Sequence, residues 1–235
     1  VAIPVIMGAF GVGQDKVHWV STGFIAAMTI SMLLNDWCVR AVGMRVTYIG
    51  AMLVFIFGGI MGGLSSTIDL VILSRTLQGL GAGVVQPLMM VLVLQVFPVE
   101  WRGRAMALTS VGIMVAPAVG PAFGGVLLDA FNWQYVFFMS TVVPLVGIFL
   151  AMIFMPGRER VREIPAFDWT GLVLITLCIF CSLTGLSSGQ REGWGSPIIS
   201  VLFSVGLVSG AAFILWELKT ETPILQVRVF ANRKF

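Results

Sequence analysis

Leu70-Val71-Ile72-Leu73-Ser74-Arg75-Thr76-Leu77-Gln78-Gly79-Leu80-Gly81-Ala82-Gly83 opens a 28-residue run, Leu70 to Phe97, in which Arg75 is the only charged side chain. A helix of that length spans the roughly 30 Å hydrocarbon core of a bilayer. A guanidinium stays ionised in proteins, so inside hydrocarbon it must meet a partner, face a wet cavity or snorkel to the interface. Arg75 is therefore a functional-site candidate within a membrane span.

The rest of the chain has a matching composition. Hydrophobic residues make up 58%, charged residues 11%, and the mean hydropathy is +0.99, against roughly 25% charged residues in a soluble domain. Apolar stretches of about 17–25 residues predict seven spans near 17–34, 46–64, 70–97, 105–128, 135–155, 169–187 and 197–216. All are expected to be helices, because backbone groups in lipid must be satisfied within the segment and these stretches lack the alternation of a transmembrane barrel. The expected fold class is an all-α polytopic membrane protein. Val1–Met7 is too short to span and reads as the end of an earlier span, while Arg233-Lys234 reads as the interface before a further one. The chain is thus expected to be part of a longer, transporter-sized protein.

Basic residues orient the spans. Arg40, Arg45, Arg102, Arg104, Arg158, Arg160, Arg162, Lys219, Arg228, Arg233 and Lys234 fall on one side, and only Lys16 and Arg191 on the other. Eleven against two assigns the first side to the cytoplasm, and the +3 net charge reflects this topology rather than a nucleic-acid partner. Trp19, Trp37, Trp101, Trp133, Trp169, Trp194 and Trp216 all fall at or beside proposed span ends, as the headgroup preference of tryptophan requires.

Within the third full span, Arg75, Gln78, Gly79, Ala82, Gly83 and Gln86 recur at three- and four-residue steps, which puts them on one helix face. Small residues there admit a neighbouring backbone or a substrate, and Arg75 and Gln78 supply hydrogen bonds. The competing reading is a snorkelling arginine, since a helix starting at Asp69 places Arg75 about 9 Å along its axis. The fourth full span carries Gly112, Ala116, Gly120 and Gly124 every four residues, with Pro117 and Pro121 on the adjoining ridge and Gly125 beside it. That pattern predicts close helix packing and, in a functional reading, a face that shears during a conformational cycle. A third constellation is the cytoplasmic connection Asn35 to Arg45. In it Gly43 suits a sharp turn, while Arg40 and Arg45 can reach helix C-termini or carboxylates, or simply anchor the loop.

Other features carry less. Cys178 and Cys181 lack a second pair or a nearby histidine and read as apolar cysteines rather than a metal site. His18 reads as an interfacial histidine. The spans hold no nucleophile motif, no HExxH and no carboxylate pair, so an intramembrane enzyme is not expected.

These three constellations, in this order among the spans, resemble the signature motifs of the major facilitator superfamily, specifically its fourteen-span drug:proton antiporter family of the EmrB/QacA type. Arg40 to Arg45 is similar to the loop motif, Leu73 to Pro87 to the arginine-bearing fourth-span motif, and Ala116 to Gly125 to the antiporter motif of the fifth span. Asn132 to Phe138, Phe167 to Trp169 and Pro223 to Phe230 also resemble that family. Two departures stand out: Arg40 replaces the usual acidic residue of the loop motif, and Asp36 stands where a glycine is common.

The resemblance implies an N-terminal bundle over 1–155 with spans two to six, a cytoplasmic linker at 156–168, two connecting spans over 169–216 and a cytoplasmic segment at 217–235. It implies alternating access around a midplane site. Proton coupling and the substrate cavity would fall on Arg75, Gln78, Gly79, Gly83 and Gln86. The antiporter contact would fall on Ala116, Pro117, Gly120, Pro121, Gly124 and Gly125, and cytoplasmic gating on Asp36, Arg40, Gly43 and Arg45. No cofactor is expected, the proton gradient being the energy source. The implied setting is a bacterial inner membrane, with a small lipophilic substrate and, as in adaptor-coupled members, a periplasmic adaptor and outer-membrane channel. A narrow-substrate exporter of a lipid, siderophore or metabolite, or a non-transporting scaffold, are the alternatives.

Overall fold

The computed structural model describes residues 3–155, 157 and 166–225. Among them the helices are α1 (Ile3–Phe10), α2 (Gln14–Val17), α3 (Trp19–Val42), α4 (Met44–Gly63), α5 (Ile68–Val96), α6 (Val99–Ala130), α7 (Gln134–Phe154), α8 (Trp169–Glu192) and α9 (Pro197–Glu217), with no strand. Seven of the resulting segments, α2 being counted with α3, are long and apolar enough to cross a membrane. The protein is multi-pass. Of the expected linker and cytoplasmic segment, Arg158, Arg160, Arg162, Arg228, Arg233 and Lys234 lie outside the described residues, as does Val1.

Three helix ends differ from the sequence expectation. The connection expected over Asn35 to Arg45 is one residue long: α3 continues to Val42 and α4 begins at Met44. Asp36 and Arg40 pair along the same helix face, which suits a helix extending past the hydrocarbon into the interface. Reversal falls on Gly43, whose φ of 88° and ψ of 157° suit a residue without a side chain. The helix α6 begins at Val99, directly after Pro98, and takes Arg102 and Arg104 into its first turns. The outer loop expected from Ser187 is helical up to Glu192, and the turn comes at Gly193 with φ 84°.

Packing centres on α5, which lies between α3 and α4, while α4 also packs on α7. One end of this group is closed by a buried apolar cluster of Ile6, Val17, Val20, Ile68, Val71, Trp133 and Phe137. Toward the other end lie Met44, Leu88, Ala151 and Met155. The α8–α9 hairpin rests on α3 at both ends: Trp19 stacks on Phe180 at 5.9 Å, and Trp37 meets Phe167 edge-on at 5.1 Å. Asp168 starts α8 by accepting the Gly171 N–H at 2.8 Å, and it also accepts the Trp216 indole N–H at 3.0 Å. These bonds tie the start of one connecting helix to the end of the other. By contrast α6 touches α5 and α7 only lightly, and every residue from Val111 to Phe123 is exposed.

Candidate functional site

Thr67 caps α5, its hydroxyl accepting the Leu70 N–H at 3.4 Å, so the helix axis starts at Ile68 and Arg75 lies about 10 Å along it. Arg75 Nη1 donates to Gln78 Oε1 at 3.2 Å, and the guanidinium carbon sits 4.6 Å from the centroid of the Phe137 ring on α7, a ring of the apolar cluster that closes that end of the group; the guanidinium is held by protein groups there rather than released to the interface. Gln78 is fully buried, and its Nε2 donates to Ser140 Oγ at 3.1 Å. Ser140 donates its own proton to the Phe137 carbonyl at 2.6 Å. Both ends of the Gln78 amide are thereby used, acceptor toward the cation and donor toward the hydroxyl. Among the described residues no carboxylate lies within ion-pair distance of Arg75.

The six-residue face predicted on α5 divides into three lines. At about 100° per residue, Ala82 and Gln86 fall within about 20° of Arg75, and this central line is the least covered of the three: Arg75 and Ala82 are half-buried and Gln86 is exposed. Gly79 and Gly83 form one flank and are buried against α3. A Cβ at Gly79 would stand 2.3 Å from the Phe24 carbonyl oxygen, and one at Gly83 would stand 2.1 Å from that of Met28. These two glycines are helix contacts rather than cavity lining, because the α3 backbone occupies the space a side chain would need. Gln78, with Ser74 and Gly81, forms the other flank, against α4 and α7. A Cβ at Gly81 would meet the Ala51 carbonyl oxygen at 2.4 Å.

The stripe on α6 has no such neighbours. Ala116, Pro117, Gly120 and Pro121 are exposed and Gly124 and Gly125 half-buried. A Cβ at Gly112, Gly120, Gly124 or Gly125 would meet nothing within 4 Å. The close packing expected for this stripe is absent among the described residues. The helix nevertheless runs unbroken through Pro117 and Pro121.

The loop constellation lies at the opposite end of the bundle from Arg75. Asp36 and Arg40 pair with each other at the surface, where such a pair contributes about 0.5 kcal/mol or less. Arg45 Nε donates to the Ala151 carbonyl at 3.2 Å in the last turn of α7, a site where a cation also meets the negative end of the helix dipole.

Residues 1–226 match the model of the Major Facilitator Superfamily. The chain belongs to that superfamily. It is similar to Multidrug export protein EmrB of Escherichia coli K12, with 32% identity over 236 residues, covering 100% of this chain and 46% of that protein. It is similar to Multidrug export protein EmrB of Haemophilus influenzae at 31% identity, again with 100% and 46% coverage. It also resembles the uncharacterized MFS-type transporter YhcA of Bacillus subtilis, at 28% identity over 98% of this chain and 43% of that protein. The chain spans about half the length of the curated relatives it matches.

In this major facilitator chain the structure brings Arg75 and Gln78 together with α7, and leaves the α6 stripe and the loop residues apart from them. Sequence reasoning missed Phe137 and Ser140, and it missed the glycines of α4. A Cβ at Gly59 would be 3.2 Å from Gln78 Nε2 and 3.3 Å from the Phe137 carbonyl oxygen, and one at Gly62 would be 2.2 Å from the Phe137 ring. The doublets Gly58-Gly59 and Gly62-Gly63, one turn apart, were the available signal. They form a gap in α4 through which α5 and α7 meet. The cysteines Cys38, Cys178 and Cys181 are free, and no group of possible metal ligands occurs among the described residues.

Proposed function

We propose that the full-length protein is a secondary transporter of a bacterial inner membrane that exports small lipophilic or amphiphilic compounds in exchange for protons by alternating access. The observation that carries this reading is Arg75 inside a membrane-length helix, half-buried on a line that runs through Ala82 to the exposed Gln86, bonded to Gln78 and with no carboxylate in ion-pair distance among the described residues. A permanent charge held on an open face inside the membrane stabilises a proton-accepting carboxylate or an anionic group only while that face is aligned with it. That gives a means of coupling proton release to a change of conformation. The flanks of the same face are closed by glycine contacts, so the helix carrying the charge moves with α3 and α4 as one body. The two EmrB relatives, both named multidrug export proteins, support the export of several compounds. The transport cycle needs no cofactor on this reading, and its partners are the bilayer and the exported compound.

The test uses sealed vesicles bearing the full-length protein, loaded with a lipophilic dye and given an imposed pH gradient. Dye export should follow the gradient and cease when a protonophore collapses it. Export that continues unchanged without a gradient would overturn proton coupling.

A further inference from the structure

We propose that Phe137 and Ser140 on α7 are positioning residues for Arg75, so that the place of the guanidinium is set by a helix two spans away in sequence. The inference rests on the reading of Arg75 as the coupling residue. Three observations carry it. First, the ring of Phe137 is 2% exposed and lies 4.6 Å under the guanidinium carbon, where a desolvated aromatic face attracts a cation. Second, the hydrogen bonds run in one direction, from Arg75 to Gln78, from Gln78 to Ser140, and from Ser140 to the Phe137 carbonyl. The Ser140 proton is committed to that carbonyl, so Ser140 Oγ can only accept from Gln78, and the Gln78 oxygen is left facing the arginine. Third, the assembly passes through the glycine gap of α4. Gly59 lies against Gln78, Thr141 and the Phe137 carbonyl, and Gly62 lies against the Phe137 ring and Ser74.

Two contacts from one turn of α7 thus hold the same guanidinium, one on its face and one through an amide. Loss of either frees Arg75 to sample rotamers that the open side of α5 permits, without removing its charge. The expected consequence is weaker use of the proton gradient.

The readout is the ratio of gradient-driven dye export rate to dye bound at equilibrium, in vesicles bearing the full-length protein, each corrected for protein-free vesicles. This ratio does not change when less of the protein is active, because both quantities scale with the active protein. Phe137→Leu should lower it about tenfold, Ser140→Ala should lower it by a smaller factor, and Phe137→Tyr, which keeps the aromatic face, should restore it. In an Arg75→Ala background neither substitution should lower the ratio further. If Phe137→Leu fails to insert, Ser140→Ala decides the matter alone. Should Arg75→Ala lose the ratio while Ser140→Ala and any inserted Phe137→Leu keep the wild-type value, the positioning role is wrong and the coupling role of Arg75 stands. Equal loss with Phe137→Leu and Phe137→Tyr would equally overturn the aromatic contact. A wild-type ratio in Arg75→Ala would remove the coupling reading itself.

Discussion

Two glycine-rich helix faces, one on α5 and one on α6, have similar composition and opposite surroundings. Gly79, Gly81 and Gly83 sit so close to the carbonyls of α3 and α4 that a single added carbon would overlap them, whereas among the described residues nothing stands within 4 Å of a carbon added at Gly112, Gly120, Gly124 or Gly125. Small residues permit close backbone approach, and they do not cause it. In lipid there is little hydrophobic drive between helices, so association depends on van der Waals contact and hydrogen bonds. On α5 such a bond exists, since Gln78 bridges to Ser140 on α7; Ser31 on α3 shares its one proton between the Met28 carbonyl of its own helix at 3.1 Å and the Gly79 carbonyl at 3.4 Å. On α6 the hydroxyls of Thr109 and Ser110, just before the exposed stretch, both bond back into their own helix.

The comparison is most severely tested at Gly83. Gly83→Val places branched carbon against the Met28 carbonyl and the Ser31 hydroxyl, and should destabilise the full-length protein by about 3 kcal/mol or more. The expected result is poor insertion or a large drop in melting temperature in detergent. A smaller effect is expected at Gly59, where the nearest atom to an added carbon is the Thr141 methyl at 2.5 Å. That side chain can shift, so Gly59→Ala should cost about 1–2 kcal/mol, read as a modest fall in the same melting experiment. Least of all is expected at Gly120. Gly120→Ala should leave melting unchanged or raise it by the equivalent of about 1 kcal/mol or less, through helix propensity alone. A fall in export at unchanged melting temperature would then mark the bare α6 face as a contact made during the cycle.

Much of the fold was legible because hydrocarbon imposes a length and a composition on each span, and seven stretches met both. The helix ends were less so. Asp36, Trp37 and Arg40 read as a loop by charge, yet a helix need not stop where hydrocarbon does, and α3 continues for about two more turns before Gly43. At the site, Arg75 and Gln78 were readable as a pair because helical spacing brings residues three apart together. The division of their face into packed flanks and an open centre was not, since spacing gives a direction on the helix and says nothing of what stands there. Phe137 and Ser140 lie 62 residues from their partners, with residue types common in any span. Only the glycine doublets of α4 hinted at the passage that joins them.

The central claim, that Arg75 is held inside the span to couple transport to protons, is tested most directly by gradient-driven dye export from vesicles bearing the full-length protein, its Arg75→Ala form and its Arg75→Lys form at matched insertion. The account predicts that Arg75→Ala loses gradient-driven export. It also predicts that Arg75→Lys recovers only part of it, because an ammonium keeps the charge but not the planar fork that meets Gln78 and the Phe137 ring. Equal gradient-driven export from all three would contradict it.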